Sequence, residues 1–159
     1  RMPKPILKDN NIVLIISENI KLLNELDKNI KIDLSFNNKE IFFNSDYEQL
    51  SRVFFNLIKN AIESIQEKYI LNSDFIKKID IKINNNIDSI VFTIIDNGKG
   101  FGIFDDNIKD ILNPYFTTKK KGTGLGLAIV NKIINDHHGS INFIPLDIGA
   151  KIEIIFLKQ

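Results

Sequence analysis

The chain has 159 residues, 43% hydrophobic and 26% charged, the proportions of one ordinary globular domain with a single core. A formal net charge of +1 argues against a double-stranded nucleic-acid partner, which draws on a clear basic excess, and the absence of cysteine excludes disulfides and thiolate metal sites. The apolar runs, Ile12 to Ile16 and Ile90 to Phe92, fall far short of the roughly 20 residues that cross a bilayer, so no direct membrane contact is expected, and no signal peptide is visible.

Pro3 and Pro5 forbid a continuing helix, so residues 1–10 read as a linker leaving an upstream element, and residues 11–159 as the domain itself. Ile12, Ile15, Ile16, Ile20, Leu23 and Leu26 fall near helical spacing and predict an amphipathic helix over about 12–27. Ile30, Ile32, Leu34 and Phe36 alternate with polar residues as a strand does, and Ile41-Phe42-Phe43 reads as a second, short one. Ser45 followed by Glu48 has the spacing of a capping box. Beyond it Leu50, Val53, Phe54, Leu57, Ile58, Ala61, Ile62 and Ile65 form one apolar stripe, predicting a helix over 46–67. Ile79, Ile81 and Ile83, then Ile90 to Ile95, read as a hairpin. Residues 96–124 are glycine-rich and poorly periodic, and loops of that length are often functional. A helix from Gly124 to His138, with Gly139 as its cap, and strands over 140–145 and 150–157 complete the chain. The expected architecture is an α+β two-layer sandwich: one mixed, mainly antiparallel sheet of about five strands with three helices on one face.

Three clusters carry chemistry. Asn56 and Asn60 are i, i+4 on the long helix and stack on one face beside the apolar stripe; Gln49 and Glu63 extend that polar flank. An amide oxygen is a hard, neutral donor suited to Mg²⁺ shared with phosphate oxygens, although two surface asparagines would give the same spacing. Asp96-Asn97-Gly98-Lys99-Gly100-Phe101 follows an apolar strand. A carboxylate there can accept from an exocyclic amine such as adenine N6, and the glycines let backbone pass close to a flat base; a plain Asp-Asn-Gly turn is the other reading. Gly122-Thr123-Gly124-Leu125-Gly126-Leu127-Ala128 opens a helix, where backbone N–H groups bind phosphate. It is neither a Walker A loop nor a dinucleotide fingerprint, because no Gly-Lys-Ser/Thr follows and no strand immediately precedes. Lys119, Lys120 and Lys121 beside it supply complementary charge.

The order Asn-x-x-x-Asn, Asp-x-Gly-x-Gly, Pro-x-Phe and Gly-Thr-Gly-Leu-Gly-Leu-Ala resembles the N box, first glycine box, F box and second glycine box of histidine-kinase catalytic domains. These belong to the gyrase, HSP90, histidine kinase and MutL superfamily with its Bergerat ATP-binding fold. The likeness covers roughly residues 12–157. Pro114-Tyr115-Phe116-Thr117-Thr118-Lys119 with Asn60-Ala61-Ile62-Glu63-Ser64-Ile65 is similar to the nitrogen-regulation (NtrY/NtrB-like) branch.

The resemblance implies ATP and Mg²⁺ as cofactors. Asn60 is then the metal ligand, with Asn56 near the phosphates or metal. Asp96 binds adenine N6, and Gly98 and Gly100 shape the base pocket. Phe116, Thr118 and Lys119 belong to the ATP lid, with Lys119 beside Asn56 and Asn60 among the catalytic groups. Gly122, Thr123, Gly124, Leu125, Gly126 and Leu127 form the phosphate-side loop. Many sensor kinases carry Lys or Arg three residues after the metal Asn, where this chain has Glu63, so a phosphate contact from that position is not implied. The resemblance also implies partners: an upstream dimerisation domain bearing the phosphoacceptor histidine, a response-regulator receiver domain, and homodimerisation of the whole kinase. The parent would be anchored in the inner membrane with this domain in the cytoplasm.

Relatives that hydrolyse ATP or phosphorylate serine typically have Glu where this chain has Asn56, and Asn is no base. A serine kinase or ATPase of that kind is the first alternative, and a non-catalytic nucleotide-sensing module the second. His137 and His138 read as helix-terminal residues capping carbonyls, not as phosphoacceptors.

Overall fold

A computed structural model describes residues 2–101 and 126–158. In chain order the described elements are β1 (Lys8–Asn11), α1 (Ile12–Leu23), a 3₁₀ turn (Asn24–Leu26), β2 (Lys31–Phe36), β3 (Phe42–Ser45), α2 (Tyr47–Leu71), β4 (Lys78–Asn85), β5 (Ser89–Asp96), α3 (Gly126–Asp136), β6 (Gly139–Pro145) and β7 (Ala150–Leu157). The main sheet has the order β2-β4-β5-β7-β6. Only the β2–β4 pair is parallel; the other three are antiparallel. The three helices pack over this sheet, so the expected two-layer sandwich is present.

Alternation in β4, β5 and β7 puts Ile79, Ile81, Ile83, Ile90, Phe92, Ile94, Ile152, Ile154 and Phe156 on the buried face. The whole α2 stripe from Leu50 to Ile65 is buried against it. Each such side chain contributes about 1.5–3 kcal/mol of hydrophobic stabilisation, so this stripe holds α2 in place far more firmly than helix propensity does. Phe54 packs on Phe92 in a tilted pair at 4.9 Å between ring centroids, and Phe92 meets Phe156 edge-on at 5.7 Å. α2 is therefore the rigid spine of the helical layer.

Several boundaries differ from the sequence reading: α1 ends at Leu23 and gives way to the 3₁₀ turn short of residue 27, β3 spans Phe42–Ser45 and not Ile41 to Phe43, and four further differences have a local reason. Lys8–Asn11, inside the stretch read as a linker, pairs antiparallel with β3 in a separate two-stranded sheet. The N-cap of α2 is Asp46, not Ser45: its Oδ1 accepts the Gln49 N–H at 3.0 Å, while the Ser45 hydroxyl is spent on the Phe43 carbonyl. α2 continues to Leu71, a turn past the expected end at residue 67, where the Asn72 N–H closes on the Lys68 carbonyl. The left-handed residue after α3 is His138 (φ 61°), not Gly139. Gly139 instead starts β6, where a Cβ would lie 2.8 Å from the Ile155 carbonyl oxygen and 3.0 Å from the Ile134 side chain. Its glycine serves packing of α3 on the sheet.

Candidate functional site

Asn56, Asn60 and Ser64 follow one another at i, i+4, i+8 and lie half-buried on one face of α2. β5 ends at Asp96, and the loop after it turns straight onto that helix. The Lys99 N–H donates to the Ser64 hydroxyl at 3.0 Å and to the Ser64 carbonyl at 3.3 Å. Gly98 lies so close that a Cβ there would stand 2.7 Å from the Ser64 carbonyl carbon and 2.8 Å from the Ile65 nitrogen. Gly100 takes φ +81°, a conformation that favours glycine. Ser64 is one helical turn, about 6 Å, from Asn60, so the first two sequence clusters meet in space. Ser64 had no role in the sequence reading; its place on the Asn56/Asn60 face was the available signal.

Other groups brace the loop. Asn97 Oδ1 accepts the Lys78 N–H at 3.0 Å, and its Nδ2 donates to the Ile76 carbonyl at 2.5 Å. The Lys68 ammonium donates to the Asn97 carbonyl at 2.8 Å and sits over the Phe75 ring. Lys99 pairs with Glu67. Phe101 packs edge-on against Phe143 at 5.6 Å. Lys68 and residues 98–101 line an open crevice of about 500 Å³, closed on its far side by residues 145–149.

Asp96 is 6% exposed. Its Oδ1 accepts the Gly98 N–H at 2.8 Å. Burial pushes its carboxyl up to about 6, against the opposing pull of the Gly98 N–H and the Lys68 ammonium. A carboxylate held at the end of a strand, partly desolvated and pointed by one backbone bond, is a strong acceptor for an amine donor.

The turn between β6 and β7 closes on the same loop. Gly149 has φ +83°, and a Cβ there would fall on the backbone of Asp96 and lie 2.8 Å from the Asn97 Cα. Gly149→Ala is expected to destabilise the domain by roughly 2–4 kcal/mol, the sum of left-handed strain and overpacking. In Gly126→Ala the new methyl meets nothing within 4 Å among the described residues, inside a helix that favours Ala over Gly. Urea unfolding of both variants checks this: a Gly149→Ala midpoint as high as that of the unaltered chain would contradict the close approach.

From the third cluster only its C-terminal end is described. Gly126 is the first residue of α3, and Leu127 packs half-buried against the core. Phe116, Thr118, Lys119, Gly122, Thr123, Gly124 and Leu125 lie outside the described residues. Glu63 is half-buried on α2. Gln49 belongs to a different place: its Nε2 donates to the Pro3 carbonyl at 3.0 Å, so it serves the N-terminal segment and not the Asn56/Asn60 flank. His137 is buried, with Nδ1 2.8 Å from the Ile133 carbonyl oxygen, and its Nε2 accepts the Asp46 N–H at 3.0 Å, a capping and bridging role.

The sequence family described as histidine kinase-, DNA gyrase B- and HSP90-like ATPase matches residues 45–159. A putative NtrY-like sensor histidine kinase of Rickettsia bellii is 32% identical over 157 residues, which are 98% of this chain and 24% of the relative. The chain thus spans about a quarter of that protein's length. The solved catalytic domain of the histidine kinase ThkA is 27% identical with a TM-score of 0.81, covering 96% of this chain and 95% of the other. The same kinase solved in complex with the response regulator protein TrrA matches at 23% identity and a TM-score of 0.77, over 96% of this chain and 42% of the other. An amide-bearing helix hydrogen-bonded to the loop that follows a buried strand-end carboxylate, in a sheet of this order and with these likenesses, places the chain in the histidine kinase-, gyrase B- and HSP90-like ATPase family, as a histidine-kinase catalytic domain.

Proposed function

We propose that this domain binds Mg-ATP between α2, the Asp96 loop and the start of α3, and donates the γ-phosphoryl group to a histidine on a separate dimerisation domain. The observation that carries the reading is the Ser64 latch, which ties the loop after Asp96, the acceptor for the adenine amine in this reading, to α2 at a residue one helical turn from Asn60 and two from Asn56, amides suited to the phosphate end. In this reading Asp96 takes adenine N6, and Gly98 and Gly100 let the backbone run beside the base. Gly126, Leu127 and the preceding Gly122, Thr123, Gly124 and Leu125 present N–H groups to the phosphates. Phe116, Thr118 and Lys119 cover the nucleotide, Lys119 contributing positive charge.

The donor set fits Mg²⁺. In this reading the protein's share is a neutral amide oxygen from Asn60, with Asn56 beside it; among the described residues no group of three or more His, Asp or Glu side chains is gathered to hold a metal. Mg²⁺ keeps several waters and binds through few protein ligands plus phosphate oxygens. When bound it neutralises charge on the transferring phosphoryl group. This chain's residues position the nucleotide and keep its phosphates in line.

Asn60→Ala is expected to weaken ATP binding strongly in the presence of Mg²⁺ and to leave little difference between buffers with and without the metal. Calorimetry reads both; equal Mg²⁺-dependent affinity in the variant and the unaltered chain would remove the metal role of Asn60.

The phosphohistidine formed on the dimerisation domain would then pass its phosphoryl group to a response-regulator receiver domain, within a homodimeric kinase. Among the described residues no helix is long and apolar enough to cross a membrane. Anchoring in the inner membrane, with this domain on the cytoplasmic side, belongs to the parent protein in this proposal.

A further inference from the structure

The segment that enters the domain is bound to the N-terminal end of α2 by two side chains. Gln49, 6% exposed, donates from Nε2 to the Pro3 carbonyl at 3.0 Å. Asp46 accepts the Ile6 N–H on Oδ2 at 2.8 Å while its Oδ1 caps the helix at the Gln49 N–H. The Asp46 backbone is fixed from behind: its N–H donates to His137 Nε2 at 3.0 Å, and the other nitrogen of that ring donates to the Ile133 carbonyl at 2.8 Å. The imidazole therefore bridges the C-terminal end of α3 to the first turn of α2. One further atom is unexplained by internal packing. Gln49 Oε1 is buried and has no hydrogen-bond partner among the described residues, at the spot where the chain arrives from residue 1. A buried acceptor without a donor costs stability.

We infer that Gln49 and Asp46, backed by His137, form a clip that fixes the incoming segment to α2 and thereby sets the position of the catalytic domain relative to the phosphoacceptor domain. They are positioning residues for phosphotransfer, and this role rests on the kinase reading above. The physical effect is on local concentration and orientation: a segment held at two points restricts the domain to few approaches, whereas a loose one lets it sample many unproductive ones. The clip lies far from the nucleotide groups. Asn56 is ten residues beyond Asp46 along α2, about 15 Å, and seven beyond Gln49, about 10 Å, so loosening the clip leaves ATP affinity alone.

Gln49→Met removes donor and acceptor at nearly constant shape. Asp46→Asn keeps a helix-capping oxygen and the backbone bond to His137, but turns a donor toward the Ile6 N–H. Phosphohistidine formation is measured with the phosphoacceptor domain joined ahead of residue 1 and, separately, supplied as its own chain. Amide exchange of Ile6 and the ATP dissociation constant are measured on the same proteins. Each variant is expected to slow the joined reaction about three- to tenfold, the equivalent of one lost hydrogen bond. Ile6 exchange should speed up by a similar factor, while ATP affinity and the reaction between separate chains stay within about twofold. An unchanged joined rate, unchanged Ile6 exchange, or equal slowing of both reactions would overturn the clip as a positioning device. If the unaltered protein forms no phosphohistidine in either arrangement, the kinase reading fails and the positioning role with it; Ile6 exchange then decides only whether the clip holds the segment.

Discussion

The 159-residue chain on its own is expected to bind ATP, fail to label itself, and hydrolyse ATP only very slowly. Both of its histidines are out of reach. His137 is 2% exposed, one ring nitrogen meets the Ile133 carbonyl and the other holds the Asp46 N–H, so neither is open to attack phosphorus. It touches the N-cap of α2, whereas Asn60 lies fourteen residues along the same helix, about 21 Å away at ~1.5 Å per residue. His138 is next in the chain and exposed, at the end of α3 opposite the proposed phosphate loop. In-line transfer demands reacting atoms about 3–3.5 Å apart. Water gains no help either, because position 56 is Asn and an amide is no general base; that contribution, about 10²–10⁴-fold, is absent. A histidine on a partner domain needs less, since a neutral imidazole nitrogen is already a nucleophile. Incubation with γ-labelled ATP, alone and with a separately expressed dimerisation domain, checks the division of labour. The second mixture should form phosphohistidine, weakly, because the tether's local concentration is lost. Stoichiometric labelling of the chain alone, or turnover near about 10 s⁻¹, a typical enzyme rate, would show the acceptor or the base to be within the domain.

Asp96→Ala is expected to lower ATP affinity about 10–150-fold, the equivalent of about 1.5–3 kcal/mol for a hydrogen bond to a charged acceptor. The same carboxylate should discriminate against GTP, which presents a carbonyl where adenine has its amine. It should also make binding depend on pH. The carboxyl of the nucleotide-free domain is raised to about 6 by burial, above its ordinary 3.8, so between these values the folded protein holds a proton that the unfolded chain has released. The raised carboxyl therefore contributes stability that is fully present below 3.8 and is lost as pH rises from there through about 6. ATP has the opposite preference, because the adenine amine donates to the ionised form. Affinity should fall as pH drops below about 6, approaching a tenfold loss per unit, and Asp96→Asn, which does not titrate, should flatten the profile relative to the unaltered chain. Comparable ATP and GTP binding, or parallel pH profiles in the two proteins, would remove Asp96 from adenine recognition.

The sequence by itself determined the strands of the main sheet and the helices that cover it, though not β1, because burial against one sheet imposes period two on strands and period 3.6 on helices. The stripe from Leu50 to Ile65 and the alternation of Ile79, Ile81 and Ile83 could satisfy their apolar faces in few other ways. The ordered motifs also marked Asn56, Asn60, Asp96 and the glycines as a group. What only the tertiary structure decided were contacts between residues far apart in the chain. Ser45 and Asp46 are both good caps, and the choice fell to Asp46 because the Ser45 hydroxyl bonds the Phe43 carbonyl within β3. Gly139 looked like a helix terminator, yet its missing side chain is needed against Ile155 and Ile134, and the left-handed turn passed to His138. Gln49 shares a helix face with the nucleotide flank, but the entering segment lies on it and its Nε2 holds the Pro3 carbonyl. Ser64 carried no role of its own in the Asn60–Ile65 stretch and Gly149 no motif, and they matter because the Asp96 loop packs on α2 and under the β6–β7 turn with no room for another atom. Periodicity is local and can be read along the chain; close approach is a property of pairs, and the pairs form only when the sheet and helices come together.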